Sequence, residues 1–264
     1  MRVGLIGLGL MGASFAAALR QRRPEVDLIG VDSDPAAVAT ALERGLISEP
    51  GTAGADLLVI AVPPQAVRSV LERLPRDVLV TDMTSTKVSV CAWADAAGLD
   101  FVGGHPMCGR EAAGVDAAEP GLFEGAPWVL TRRSPVIEDL VGAVGAQPML
   151  LSAERHDRLV AGVSHAAFAV SAAYLLSISA SPDWPEMAPL ASSGFRDLTR
   201  LASGSPEMYA GIAAGNAANL AEWLRAVEAQ LARLRRHVEA GDPRLVELFE
   251  EAREARRRWL AERG

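Results

Sequence analysis

Short runs of β-forming apolar residues alternate with helical patterns from residue 2 to about residue 150. Several of the runs are almost continuously apolar, as expected of parallel strands that are covered on both faces. The alternation predicts a doubly wound α/β sheet of the Rossmann type. The predicted strands are Arg2–Gly7, Asp27–Asp32, Leu57–Val62, Val78–Asp82, Phe101–Gly104 and Trp128–Thr131, and the predicted helices are Ala13–Gln21, Pro35–Arg44, Gln65–Leu74, Val88–Ala97 and Pro135–Val144.

The pattern changes after Leu151, where no further strand is predicted. The sequence predicts one long apolar helix over Ala153–Ser179, a second over Pro206–Ala240, and an amphipathic helix that ends near Leu260. We therefore predict a dinucleotide-binding domain over residues 1–151 and an all-α domain over residues 152–264. Helices that are apolar over much of their circumference must be covered on all sides, which predicts a homodimer formed through the helical domain.

The amino-acid composition of the chain argues against several classes of binding partner. A net charge of −7 argues against a nucleic acid or an anionic membrane, because both attract basic surfaces. Cys91 and Cys108 have neither the spacing of a metal site nor that of a disulfide framework, so we expect no metal. No targeting segment or membrane span is expected, because residue 3 already lies in a predicted strand. These features together predict a cytoplasmic protein.

A glycine-rich turn follows the first predicted strand and opens a helix. It reads Gly7-Leu8-Gly9-Leu10-Met11-Gly12, the spacing of a dinucleotide-binding loop. In such loops the glycines permit a tight turn, a close approach of the backbone to a pyrophosphate, and close packing of helix on strand. We expect Gly7, Gly9, Leu10, Met11 and Gly12 to contribute to a cofactor site.

The charge near the second strand predicts which cofactor binds. Asp32 lies twenty residues after Gly12, where a carboxylate accepts hydrogen bonds from both ribose hydroxyls. Asp34 stands beside it with no arginine, so the 2′-phosphate of NADP would meet two carboxylates. We therefore predict NAD rather than NADP. Val62 and Pro63, after the third predicted strand, are expected to line the dinucleotide groove.

Three segments with reactive or charged side chains follow strands or begin the helical region. They are Asp82-Met-Thr-Ser85-Thr-Lys87, Gly103-Gly-His105-Pro-Met-Cys-Gly109-Arg-Glu111 and Gly194-Phe-Arg196-Asp197-Leu-Thr-Arg200. Ligands of open α/β sheets lie outside the carboxyl ends of the strands. The first two segments are therefore expected beside the nicotinamide.

These segments, with Leu122-Phe-Glu-Gly-Ala-Pro-Trp128, His156-Asp157, Ser164-His165 and a downstream Asn at 216 or 219, resemble the sequence blocks of prephenate and arogenate dehydrogenases. The blocks occur in the family's order from residue 3 to about residue 220. The resemblance implies a two-domain, dimeric enzyme. It also implies NAD-dependent oxidative decarboxylation of a cyclohexadiene acid by hydride transfer from its C4.

The resemblance also implies roles for individual residues. His105 would accept the C4 hydroxyl proton as a neutral imidazole, and Ser85 would bond the same hydroxyl and help seat the nicotinamide. Arg200, or failing it Arg196, would bind the side-chain carboxylate of the substrate. Glu111 would gate the pocket or pair with an arginine.

Two positions depart from the family pattern. Arg110 stands where many members have Thr or Ser, which adds a cation near Glu111. Many members carry two histidines as S-H-x-x-H, whereas this chain keeps His165 and has Phe168 in place of the second. In the members that have it, the second histidine belongs to the substrate pocket. Its replacement leaves prephenate, arogenate and 4-amino-4-deoxyprephenate all open as substrates. His156 and His165, nine residues apart, are expected to point in different directions, with His156 structural.

Two other functions stay open. β-Hydroxyacid dehydrogenases and imine reductases share this layout but centre on a lysine in the helical domain, and the sole lysine here is Lys87. Lys87 itself is either a surface residue at a helix start or a fixed residue near the cofactor loop. A non-catalytic dinucleotide-sensing module would keep Asp32 and the glycines but would not need Ser85, His105 and Arg200 together.

Overall fold

A six-stranded parallel sheet with the order β3-β2-β1-β4-β5-β6 forms the centre of the N-terminal half. We describe it from a computed structural model of residues 1–110 and 112–262. Its strands are β1 Arg2–Ile6, β2 Asp27–Val31, β3 Glu49–Pro50, β4 Leu57–Ile60, β5 Leu79–Asp82 and β6 Asp100–Val102. The helices of this half are α1 Leu10–Arg22, α2 Pro35–Glu43, α3 Pro64–Leu71, α4 Val88–Ala97 and α5 Pro135–Ala143. The Rossmann-type sheet predicted from the alternation is confirmed.

A second, three-stranded sheet continues this half of the chain. It contains β7 Gly104–Pro106, β8 Pro127–Leu130 and β9 Gln147–Leu150 in the order β7-β8-β9. β7 pairs with β8 in the antiparallel sense, and β8 pairs with β9 in parallel. β9 was missed by the sequence analysis, since all four of its residues are exposed and show no apolar pattern.

The predicted strand Phe101–Gly104 is wrong at its carboxyl end, because the chain changes sheets at Gly103. The Gly103 amide donates to Thr131 Oγ1 at 2.8 Å, and the Gly103 carbonyl accepts from the Thr131 amide at 2.9 Å. A Cβ on Gly104 would lie 2.4 Å from the carbonyl oxygen of Asp82. The two glycines therefore let β7 pass directly over the end of β5 and bring His105 to that end of the sheet.

The C-terminal half is entirely helical among the described residues 152–262. Its elements are α6 Ala153–Val160, a π-helical turn Ala161–His165, α7 Ala166–Ser179, α8 Trp184–Met187, α9 Ser193–Thr199, α10 Pro206–Gly215, α11 Ala217–Glu239 and α12 Leu245–Ala261. The predicted helix Ala153–Ser179 is one continuous run that includes the π-helical turn. The predicted helix Pro206–Ala240 is broken at Asn216, which separates α10 from α11.

The run Ala153–Ser179 is, by length and composition, apolar enough to cross a membrane. Its most apolar window has a mean hydropathy of 1.7, and 28% of that window is buried within this chain. The first turns of the run nevertheless face the N-terminal half, because His156 and Asp157 are buried there. Its remaining apolar length is exposed in the single chain, most of all at Val163 and Leu176.

Candidate active site

The glycine-rich loop between β1 and α1 has the shape needed for a dinucleotide. Gly7 has a φ of +100°, and a Cβ there would lie 2.3 Å from the Ala61 carbonyl oxygen. A Cβ on Gly12 would lie 2.0 Å from the Gly7 carbonyl oxygen, so helix and loop pack too closely for a side chain. A Cβ on Gly9 would meet nothing within 4 Å. The open space at Gly9, before the free amides of α1, fits the close approach of a pyrophosphate.

Asp32 lies at the end of β2 with both carboxylate oxygens hydrogen-bonded, one of them to this loop. Oδ2 accepts a hydrogen bond from the Leu8 amide at 2.6 Å, and Oδ1 accepts from the Asp34 amide at 2.9 Å. Asp34 itself caps α2, accepting from the Ala36 amide at 2.9 Å. The residues therefore fit an NAD ribose, since two carboxylates stand where a 2′-phosphate would need a cation.

The other predicted cofactor positions surround the same loop. Leu10 and Met11 form the first turn of α1 and are half-buried. Val62 follows β4 and its Cγ1 would be 3.2 Å from a Cβ on Gly7, while Pro63 stands at the start of α3. Their side of the sheet also meets the helical domain, where the Gln65 side-chain amide donates to the Glu207 carbonyl oxygen in α10.

A buried ion pair lies at the end of β5. The Lys87 ammonium donates to Asp82 Oδ2 and, at 2.7 Å, to the carbonyl oxygen of Gly104. Asp82 Oδ1 accepts from the Gly104 amide at 2.8 Å. The alternative that placed Lys87 on the surface is wrong, because its side chain is fully buried. The pair fixes both backbone groups of the residue before His105.

His105 is buried beside the helical domain. Its Nδ1 lies 2.8 Å from Nε2 of His156, whose Nδ1 lies 2.7 Å from Asp157 Oδ1. Burial lowers the pKa of His105 well below its usual value of 6.5, and nearby His156, Lys87 and His165 act in the same direction. His105 therefore stays neutral at physiological pH, the state that an acceptor of a proton requires.

His156 and His165 point in different directions, as their spacing predicted, because His156 contacts His105 and His165 contacts Asn216. His165 Nδ1 lies 3.3 Å from the amide nitrogen of Asn216, which donates to the Asp157 carbonyl oxygen at 2.7 Å. Its Nε2 is buried and has no hydrogen-bond partner among the described residues. Burial lowers the pKa of His165 to about 4, with His156 adding to the effect and Asp157 opposing it.

A cavity of about 350 Å³ borders His165. Phe168 and Tyr209 face each other in its wall as a parallel stack, with ring centroids 3.3 Å apart. The other described lining residues are Ala169, Pro206, Ala210, Ile212, Ala213 and Leu220. No carboxylate occurs among the described residues that line it, so the cavity favours an apolar or aromatic occupant.

The remaining predicted site residues are dispersed. Ser85 is half-buried in the loop that links Asp82 to Lys87. Arg196 lies in α9 and Arg200 in the short 3₁₀ turn after it, both exposed in the single chain, and this segment packs along α7. Glu111 lies outside the described residues.

Sequence reasoning missed the place of His156 and its neighbour. His156 was expected to be structural, yet it contacts His105 directly, and Asp157 accepts from the backbone amides of Lys87 and Val88 at 2.7 and 2.9 Å. The only signal in the sequence was the pair of adjacent polar residues at the start of an otherwise apolar helix. Tyr209 carried no signal at all.

Comparisons with known proteins match both halves of the chain. The family model described as "Prephenate dehydrogenase, nucleotide-binding domain" matches residues 15–140, and "Prephenate dehydrogenase, dimerization domain" matches residues 152–251. Prephenate dehydrogenase of Bacillus subtilis is 34% identical over 280 residues, which cover 96% of this chain and 74% of the relative.

Two solved structures are similar over almost the whole chain. The prephenate dehydrogenase of A. aeolicus, in complex with hydroxyphenyl propionate and NAD⁺, has a TM-score of 0.90 at 27% identity, covering 98% of each chain. The arogenate dehydrogenase of Synechocystis has a TM-score of 0.81 at 31% identity, covering 98% of this chain and all of that one. With the NAD-binding loop and the two-domain fold in place, the chain belongs to the prephenate and arogenate dehydrogenase family of NAD-dependent oxidoreductases.

Proposed function

We propose that the chain oxidises and decarboxylates prephenate with NAD. The observation that carries this proposal is the buried His105 beyond the carboxyl end of β5, in contact with His156 of the helical domain. Burial lowers the pKa of its imidazole. The similar protein whose structure holds NAD⁺ and hydroxyphenyl propionate supports the same class of ligands here. We also propose that the dinucleotide-binding domain and the helical domain divide at about residue 151.

Each of the proposed site residues has its own role in the reaction. Gly7, Gly9, Gly12 and Asp32 hold the cofactor, which when bound supplies the acceptor for the hydride that leaves C4. His105 takes the hydroxyl proton from the same carbon as its C–O bond becomes a carbonyl. Loss of the ring carboxylate as CO₂ then makes the ring aromatic and passes the released electron pair to the C4 oxygen, which takes back the proton held by His105. Aromatisation drives this step, and no acid or base besides His105 is needed. Ser85 bonds the hydroxyl and keeps it directed at His105.

The cavity beside His165 favours prephenate over the other two candidates. Arogenate carries an ammonium group on its side chain, and a buried ammonium needs a carboxylate partner. The described lining is apolar apart from His165, Tyr209 and backbone groups. The pyruvyl side chain of prephenate needs no such partner. 4-Amino-4-deoxyprephenate would place an ammonium group on C4 against the neutral ring of His105, which likewise offers no carboxylate.

Arg200 is proposed to bind the side-chain carboxylate of the substrate, with Arg196 as the alternative and Glu111 as a gate. A guanidinium fixes the orientation of a carboxylate through two parallel hydrogen bonds, as well as its charge. Both arginines lie on a segment that packs along α7, the helix that carries Phe168. The substrate would therefore lie between the α9 segment and the end of β5.

A homodimer is proposed to complete the fold. Val163, Leu176 and Leu190 are at least two-thirds exposed, and the apolar run Ala153–Ser179 is largely uncovered in one chain. A second copy would cover this surface, in keeping with the name of the matched dimerization domain. Light scattering of the purified protein should give twice the 27.8 kDa mass of the chain; a monomer at micromolar concentration would overturn the dimer.

The function is tested by turnover with NAD and each of the three substrates in parallel, followed as NADH absorbance. We expect the highest kcat/KM with prephenate. A preference for arogenate or the 4-amino compound would overturn the substrate assignment and leave the reaction standing. Absence of turnover with all three, in protein shown to bind NAD, would overturn the proposed activity in favour of a dinucleotide sensor.

A further inference from the structure

Three buried polar groups lie in a row behind the face of His105 that the substrate would use. His105 Nδ1 and His156 Nε2 are 2.8 Å apart, and His156 Nδ1 and Asp157 Oδ1 are 2.7 Å apart. All three side chains are buried, His156 and Asp157 almost completely. The row crosses between the domains, because His105 lies in β7 and the other two in α6.

The direction of the hydrogen bonds in this row is set by the start of α4. Asp157 Oδ1 accepts from the Lys87 amide at 2.7 Å, and Oδ2 accepts from the Val88 amide at 2.9 Å. A helix N-terminus favours an ionised carboxylate, which can only accept hydrogen bonds. His156 Nδ1 must therefore donate to Asp157.

The tautomer of both histidines follows from that first donor. A neutral imidazole has one N–H group, so a proton on His156 Nδ1 leaves Nε2 as an acceptor. His105 Nδ1 then has to donate to it. The proton of neutral His105 is thereby held on Nδ1, and the lone pair is left on Nε2.

We propose that His156 and Asp157 are positioning residues that hold His105 in the Nδ1–H tautomer, so that Nε2 is the atom that takes the substrate's hydroxyl proton. The inference rests on the proposed function, in which His105 is the proton acceptor. The O–H bond of the substrate breaks, the proton passes to Nε2, and the O–H electron pair becomes the second bond of the carbonyl as hydride leaves C4. The imidazolium that results keeps its Nδ1–H bond to His156, with the Asp157 carboxylate behind it.

Two substitutions at Asp157 separate this role from a purely structural one. In Asp157→Asn the amide oxygen can take the place of Oδ1, where it accepts from both the Lys87 amide and His156 Nδ1, so both donors in the row keep their direction. Only the hydrogen bond from the Val88 amide and the negative charge are lost. In Asp157→Ala the acceptor for His156 Nδ1 is lost, and neither histidine is held in one tautomer.

We expect Asp157→Ala to lower kcat by on the order of 10², and Asp157→Asn by about tenfold or less, because only alanine removes the acceptor that fixes the tautomer. KM for the substrate and NAD affinity should change little in either variant, whereas a purely structural role would lower stability and binding together. An undiminished kcat in Asp157→Ala would overturn the proposal.

A second measurement is independent of activity. Long-range ¹H–¹⁵N correlation spectra of ¹⁵N-histidine protein report the tautomer of each of its four histidines, with His105→Asn used for assignment. We expect the Nδ1–H form for His105 in the wild type and a shift toward Nε2–H in His156→Phe. His237→Phe is the matched control, because His237 pairs with Asp242 at 3.0 Å far from the site, and it should leave the His105 signals unchanged.

The two outcomes are distinguishable from failure of the proposed function. An Nε2–H tautomer in the folded wild-type protein would overturn the row's role, even if the enzyme turns over prephenate and even if the variants fail to fold. An Nδ1–H tautomer that is lost in His156→Phe supports the role of the row, whichever cyclohexadiene acid proves to be the substrate.

Discussion

The Lys87 ammonium and the Gly104 carbonyl oxygen lie 2.7 Å apart, so the sole lysine of the chain supports the residue before the candidate base. The same ammonium pairs with Asp82, and all of these groups are buried. Replacing Lys87 would leave an uncompensated carboxylate inside the protein, a change that costs far more than loss of a surface pair.

We therefore expect Lys87→Met to lower the free energy of unfolding by about 3–5 kcal/mol. Arg68→Met is the matched control, since Arg68 forms a surface ion pair with Glu72 at 3.0 Å. The free energy of unfolding of this control should differ from that of the wild type by at most about 0.5 kcal/mol. Urea unfolding measures the loss of stability in each variant. Equal losses would show that breaking the buried Lys87–Asp82 pair costs no more than breaking a surface pair.

Lys87 also illustrates what the sequence does and does not predict. The sheet, the glycine loop and Asp32 follow local rules of periodicity and spacing, and they could be predicted. The contacts of Lys87 with Gly104, and of His156 with His105, join segments that lie 17 and 51 residues apart. Such contacts depend on how β7 leaves the main sheet and how α6 packs on α4, and no local pattern reports either.

The break at Asn216 has the same origin. Helical periodicity continues from Pro206 to Ala240, so the pattern predicts one helix. The Asn216 side chain instead donates to the Asp157 carbonyl oxygen in a distant helix. The backbone departs from helical geometry there, with φ −134° and ψ 33°, where α10 ends and α11 begins. A tertiary hydrogen bond accompanies the break, which local periodicity could not predict.

His105→Asn tests the proposed base. Asparagine keeps a polar group of similar reach but cannot accept a proton near neutral pH, so kcat should fall by roughly 10²–10⁴. NAD affinity should not change, since Gly9 and Asp32 hold the cofactor from other elements. Steady-state kinetics and NAD titration by fluorescence give both quantities, and an undiminished kcat would remove His105 from the role.

Arg200→Ala tests the carboxylate-binding residue. Loss of a bidentate partner for a substrate carboxylate should raise KM with a smaller effect on kcat, by about 2–4 kcal/mol of binding free energy. Arg196→Ala is the comparison four residues earlier on the same segment and should have the weaker effect. If Arg196→Ala raises KM and Arg200→Ala does not, the two roles are exchanged.

Asp32→Asn tests the choice of cofactor. The amide oxygen can still accept from the Leu8 amide, which the carboxylate bonds at 2.6 Å, so the substitution removes the charge and the hydrogen bond from the Asp34 amide. NAD should bind more weakly, and the preference for NAD over NADP should relax. Asp139→Asn is the control, because Asp139 pairs with Arg23 on the surface at 2.6 Å and should not alter the preference. A wild-type enzyme that prefers NADP would contradict the charge argument.

His165 makes stability depend on pH through its buried, neutral ring. Its pKa is about 4 in the folded protein against 6.5 in the unfolded chain, so between these values the unfolded state binds more protons. Stability is therefore complete above about pH 6.5 and declines as pH falls toward 4, by at most roughly 3 kcal/mol from this group. His105 contributes in the same direction, because its pKa is also lowered. His165→Gln should flatten part of this slope in urea midpoints measured from pH 4.5 to 7.5. An unchanged slope in His165→Gln would mean that the ring is already protonated, or already solvated, in the folded enzyme.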